Sequence, residues 1–201
     1  MTTRLEILNH VLNVVGETPV SSPSSQHPTA LSASVEIDRV NKELQKEGWW
    51  FNTEIDLVLS PNEANNIIVP AGTLFLAPVD PNSHLVRRGT RLYDPVNHTY
   101  TIPYPVKVDL ILQLPIEDLP ESAAAFLQHQ VALDFYVNDD GDEAKTIKLE
   151  QRVARAWAAL QSAQLKASKV NALQRPSVAV LRSRISRQGV TYSPNWPGGR
   201  R

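Results

Sequence analysis

Residues 44–59 read Leu-Gln-Lys-Glu-Gly-Trp-Trp-Phe-Asn-Thr-Glu-Ile-Asp-Leu-Val-Leu, and the change of rhythm inside them decides the fold. Upstream of Gly48, Ala33, Ile37, Val40 and Leu44 recur every three or four places, which is the period of one helix face. Downstream, Thr53, Ile55, Leu57 and Leu59 alternate with Glu54, Asp56 and Val58, the period of a strand with one covered face. One short stretch thus leaves a helix and begins a sheet, with Gly48 as the stop. Trp49-Trp50-Phe51, at the junction, reads as a plug between layers rather than as a sugar or base-stacking platform.

Toward the N-terminus, the helix that ends near Glu47 begins at about Ala30, after a polar Pro- and Ser-rich linker over 17–29. A first helix opens on the capping box Thr3-Arg4-Leu5-Glu6, carries Leu5, Leu8, Leu12 and Val15, and ends at Gly16. Beyond the strands, Asp118-Leu119-Pro120-Glu121 starts a third helix that runs to about Asn138 with Ala123, Leu127, Val131 and Phe135 on one line. The fourth spans roughly 142–172 with Leu149, Val153, Trp157 and Leu160 in phase, a rod of about 45 Å at 1.5 Å per residue. Its middle is rich in alanine (Ala154, Ala156, Ala158, Ala159), so other helices can approach it on more than one side.

Between the helical stretches the chain is β-rich. Nine of the 15 prolines fall between 61 and 120, and Val106, Val108, Leu110 and Leu112 alternate with Lys107, Asp109 and Ile111. Shorter strands are expected at 84–87, 91–94 and 99–102, separated by the turn signals Arg88-Gly89 and Val96-Asn97-His98. The fold class is therefore α+β: a mainly helical bundle of about four helices, the last one long, with an inserted small antiparallel sheet and an extended C-terminal tail. The corresponding division is 1–50 with 115–172 as bundle, 51–114 as β-rich insertion and 173–201 as tail.

A chain of 201 residues can bury roughly 70% of its unfolded surface without staples. It has no cysteine, which excludes disulfides, Cys-based zinc sites and thiol nucleophiles. No apolar run approaches the roughly 20 residues of a membrane span. Met1–Pro19 lacks the small-residue cleavage site of a signal peptide, so the expectation is a soluble protein made in a reducing cytosol. The formal charge of −1 conceals a division: residues 1–150 carry all 21 acidic groups and 10 basic ones, a balance of −11, and residues 151–201 carry the other 10 basic groups. The basic stretch calls for an acidic protein surface or a phosphate backbone.

Catalytic constellations are missing or fail on spacing. There is no Gly-x-Ser-x-Gly elbow, Walker loop, Gly-x-Gly-x-x-Gly turn or His-Glu-x-x-His helix. A calcium loop begun at Asp139 places Gly141 where a ligand belongs, so the acidic run 139–143 reads as a cap for the fourth helix. The histidines His10, His27, His84, His98 and His129 show no metal spacing, and no cofactor or metal is expected. Glu43 and Glu47 are a carboxylate pair at i,i+4, better read beside Lys42 and Lys46 as a solvated face than as a glycosidase pair. Arg175, Arg182, Arg184, Arg187, Arg200 and Arg201 form the polar feature with the most to explain. Arginine prefers bidentate contact with carboxylate or phosphate, and both a protein groove and nucleic acid satisfy that preference.

Leu8-Asn9-x-Val11-Leu12-x-x-Val15-Gly16-Glu17-x-Pro19-Val20 is followed by Ile37-x-Arg39-Val40-Asn41-x-Glu43-Leu44-Gln45-x-x-Gly48-Trp49-x-Phe51-Asn52-x-Glu54 and Leu59-x-Pro61. Arg88-Gly89-x-x-Leu92-Tyr93-Asp94 and Leu114-x-x-x-Asp118-Leu119-Pro120-Glu121 continue in the same order. Together, over about residues 5–165, they resemble the tail tubular protein A family of short-tailed phages. The resemblance implies a structural virion protein rather than an enzyme, a head-tail adaptor in a twelve-subunit ring between the portal above and the tail nozzle protein (tail tubular protein B) below. Tail fibres attach nearby, and DNA passes through the channel without sequence-specific binding. The implied location is the phage tail, after assembly in the host cytoplasm. On this reading the ring packs through Leu149, Val153, Trp157 and Leu160, the portal is held by the six tail arginines, and the Pro-rich loops at 60–105 meet nozzle or fibres. Two other classes stay open: a nucleic-acid-binding protein that uses the basic tail on phosphates, and a tail-associated peptidoglycan hydrolase that uses Glu43 or Glu47.

Overall fold

A computed structural model describes residues 2–24, 27–139 and 141–172. Two compact units divide the chain, Met1–Gln161 and Ser162–Arg201. The architecture is α+β, as expected. Helices α1 (Arg4–Val15) and α2 (Pro28–Gln45) come first, then strands β1 (Thr53–Leu59), β2 (Thr73–Pro78), β3 (Val86–Arg88), β4 (Arg91–Tyr93) and β5 (Val106–Leu112). A 3-10 turn at Ile116–Asp118 leads into α3 (Glu121–Asp139) and α4 (Glu143–Ala172). The described part of the second unit is 162–172, the end of α4. The tail expected over 173–201 lies outside the described residues.

Local chemistry fixes the helix ends. At α1 the Glu6 amide donates to the Thr3 hydroxyl, the Thr3 amide donates to the Glu6 carboxylate at 2.8 Å, and Gly16 closes the helix with φ +85°. Pro28 opens α2, where its fixed φ suits the first turn and its missing N–H is not needed. Asp142 caps α4 by accepting from the Lys145 amide at 3.0 Å.

Among the described residues three apolar clusters lie within the first unit: one in the helices, one in the β-rich part and a small one between α3 and α4. Ile7, Leu8 and Leu12 of α1, Ile37 of α2 and Leu127 of α3 are fully buried in the helical one, with Trp49 beside them and Trp50 and Phe51 packed against it. The plug at the junction is thus part of this core. Ile67, Leu92, Val108 and Leu110 are the most deeply buried residues of the β-rich one. Its sheet has the order β1-β5-β2, antiparallel throughout, and β3 pairs with β4 in a separate hairpin.

The sheet departs from the alternation in the sequence at three places. β5, expected to be half-covered, is buried on both faces after Lys107. Asp109 accepts from the Asp56 amide at 3.0 Å where β1 bulges between Glu54 and Leu57, and Ile111 lies under Gly48. The expected strand at 99–102 reduces to single bridges, Asp94 to Thr99 across the turn at 95–98 and Asn66 to Thr101. β2 was not signalled by period, since Leu74, Phe75, Leu76 and Ala77 form an unbroken apolar run. Pro78 sits on it without penalty because β2 is an edge.

Candidate functional site

The segment that decides the fold also builds its joint. Buried Gln45 donates from Nε2 to the Leu114 carbonyl (2.9 Å) and to Asn41 Oδ1 (2.8 Å), and its Oε1 accepts from the Leu114 amide at 2.7 Å. Asn52, equally buried, donates to the carbonyls of Gln45 (2.8 Å) and Leu112 (2.9 Å) and accepts from the Trp49 amide at 2.8 Å. Two side-chain amides therefore satisfy backbone groups at the end of α2, the start of β1 and the end of β5, where no ladder reaches. Sequence reading quotes both only within the family motif and gives neither a structural role. The available signal was a polar residue at a helical core position, since Gln45 stands beside Leu44 on the face of Ile37 and Val40. Gly48 (φ +74°) completes the joint, since a methyl there would lie 2.7 Å from Ile111 Cδ1.

The four side chains assigned to ring packing lie against their own chain. Leu149 and Val153 are buried with Leu133 and Tyr136 of α3. Leu160 belongs to the helical core, and the Trp157 ring stands 5.6 Å from that of Trp49 and 5.0 Å from that of Phe126. The face of α4 left outward carries Ile147, Gln151, Ala154, Arg155 and Ala158, all exposed. Arg175, Arg182, Arg184, Arg187, Arg200 and Arg201 lie outside the described residues.

Glu43 accepts from Arg39 at 2.8 Å, in a network where Arg39 also holds Glu36 and, at 2.8 Å, Asp134 of α3. These carboxylates hold the guanidinium firmly protonated, Glu36 foremost. Burial raises Asp134 above the usual carboxylate range, against the pull of Gln130 and Arg39. An open cleft of about 580 Å³ lies elsewhere, bordered by residues of 79–107 that include Asp80, His84, Asp94 and Lys107. Asp94 is occupied with its own turn, accepting from the amides of Val96 and Asn97 at 2.9 and 3.1 Å, and the Asn97 hydrogen bonds hold it below its ordinary value. Neither Glu43 nor Glu47 borders this cleft. Among the described residues, no three His, Asp or Glu side chains converge as metal ligands, and no helix is long and apolar enough to cross a membrane.

His10 of α1 and His129 of α3 meet edge to face, 5.5 Å between ring centroids. Burial lowers both from their ordinary value of 6.5, and nearby Arg152 of α4 lowers them further.

Comparison with known proteins gives the class: the chain is a structural component of a phage tail. It belongs to the tail tubular protein family, whose model matches residues 5–176. It is similar to the tail tubular protein A of Klebsiella phage KP34, 28% identical over 151 residues that cover 75% of this chain and 81% of that one.

Proposed function

We propose that the chain is a head-tail adaptor, assembled in the host cytoplasm as a ring of twelve copies between the portal and the tail nozzle protein, through which DNA leaves. Family membership carries this reading, and the shape of α4 supports it. The helix has 30 residues, yet between 143 and 161 its fully buried line is Leu149, Val153 and Leu160, while Ile147, Ala154 and Ala158 stay exposed. The line Leu149, Val153 and Leu160 thus fastens α4 to its own bundle, and the opposite exposed face, with Ala154 and Ala158 at its centre, is left to meet the neighbouring copy, a heterologous contact that closes by rotation. The acidic balance of residues 1–150 suits a channel wall that repels phosphate and lets DNA slide. The arginine-bearing stretch after 172 would fasten the ring to the portal, and the loops at 60–105 would meet nozzle or fibres. Mass measurement of the purified protein, alone and mixed with portal protein, tests the proposal. A ring-sized species on mixing is expected, and a chain that stays monomeric with portal present overturns it. A chain ending at 172 should lose portal docking, and unchanged affinity would remove the role of the tail.

A further inference from the structure

The β3–β4 hairpin has two faces. Arg87 pairs with Leu92, and the fully buried Leu92 points into the β-rich core. Arg87 is tied down by donating from Nε to the Gly89 carbonyl at 2.9 Å and from Nη1 to the Thr73 carbonyl. Val86 pairs with Tyr93 and Arg88 with Arg91, so these four share the other face. Ile68 bridges to Arg91 and joins them. Ile68 is 52% exposed and Val86 41%, two large aliphatic side chains presented to solvent on one small surface.

Two arginines stand directly opposite each other there, an arrangement that like charges disfavour. Each is held on an aromatic ring: the Arg88 guanidinium carbon lies 3.7 Å from the Tyr93 centroid and that of Arg91 lies 4.3 Å from the Tyr100 centroid. The two tyrosines pack edge to face at 4.8 Å. Stacking occupies the flat faces of the guanidinium groups and leaves their N–H edges free. Among the described residues neither guanidinium donates a hydrogen bond or meets a carboxylate. Arg4 and Arg39, in contrast, are both paired with acids of their own chain. Two unpaired, pre-oriented cations beside exposed aliphatic groups and tyrosines have the composition of an interface hot spot.

We propose that this face, with Ile68, Val86, Arg88 and Arg91 over the supporting rings of the buried Tyr93 and the half-buried Tyr100, docks an acidic segment of another tail protein, one that sets Asp or Glu carboxylates next to an aliphatic side chain. The guanidinium edges take the carboxylates bidentately, and Ile68 and Val86 cover the aliphatic neighbour. Protein is favoured over DNA as the occupant because the exposed Ile68 and Val86 stand beside the arginines, and a protein segment supplies an aliphatic group to cover them where a phosphate backbone supplies none. The inference deepens the assignment of the loops at 60–105 to tail contacts and rests on it.

Phage particles carrying the R88K/R91K chain, treated with a carbodiimide that joins amines to carboxylates without a spacer, give the test. Links from positions 88 and 91 to Asp or Glu of a second protein are expected. Positions 88 and 91 left unlinked while the native Lys107 links to a partner would overturn the patch and keep the assignment of the loops. Links from none of the three would overturn both. Capture of 88 or 91 on DNA by formaldehyde would also overturn it. As a second variant, R88Q/R91Q should melt as the unaltered protein does yet lower the yield of complete tails at least about tenfold. Unchanged yield would overturn the proposal.

Discussion

In the helical part of the first unit every ladder hydrogen bond is local, and the side chains need only present one apolar line each, as Ile7, Leu8 and Leu12 do on α1 and Ile37 and Val40 on α2. The β-rich part works differently. Thr53 pairs with Ile111 and Leu59 with Val106, partners far apart in sequence, and the turns between are pinned by side chains: Asn62 accepts from the amides of Ala64 and Asn66, Asp80 from that of Asn82, and Asp94 from those of Val96 and Asn97. Apolar period specifies the first part, whereas polar turn chemistry and one buried joint specify the second.

The largest effects should come from opening either core. Leu127→Ala in the helices and Leu92→Ala in the hairpin, both at fully buried positions, should each cost about 2–5 kcal/mol. Amide exchange should then rise in both parts for either variant, because the joint couples them; a rise confined to α1–α3 for Leu127→Ala would show two independent cores. Gln45→Ala strips the Leu114 amide and carbonyl of their partner and should cost about 1–3 kcal/mol, with exchange rising more in β1 and β5 than in α1. Next comes acid. His10 and His129 are held below 6.5 in the fold, so the unfolded chain binds these protons more readily, and stability should fall as pH drops below about 6.5 and be unaffected by the pair above it. Replacing both with glutamine should flatten that slope in denaturation measured across pH 5–7. The smallest effect belongs to Arg39→Ala, which removes an exposed network and should cost under about 1 kcal/mol, shrinking further in high salt.

The same contrast explains what the sequence revealed. Caps such as Thr3 with Glu6, and apolar lines on four helices, are local signals, so the bundle could be read from spacing. β2 was missed because a continuous apolar run carries no period, and both faces of β5 are buried for reasons that lie on other elements, the bulge at Asp56 and the close approach of Gly48. Gln45 and Asn52, though part of the family motif, show no role in the sequence because their partners, Leu114 and Leu112, are distant in it. The line Leu149, Val153, Trp157 and Leu160 was seen as a line, but spacing says which side chains share a face and not what covers it. In the fold that cover includes Leu133, Tyr136, Phe126 and Trp49. The hairpin arginines carry no local signal, since their tyrosine rings and the exposed Ile68 come together only through strand pairing.

The joint has a consequence for how such a chain can change. The chain leaves the helical part at Asn52 and returns at Leu112, and the Leu112 amide donates to the Asn52 carbonyl at 2.9 Å. An excursion that begins and ends at one hydrogen bond has closure entropy that grows only with the logarithm of its length, about 0.6 kcal/mol for each doubling. Loops between these two points can therefore be lengthened or shortened with little strain on the bundle, provided the joint at Gly48, Asn52 and Ile111 is kept.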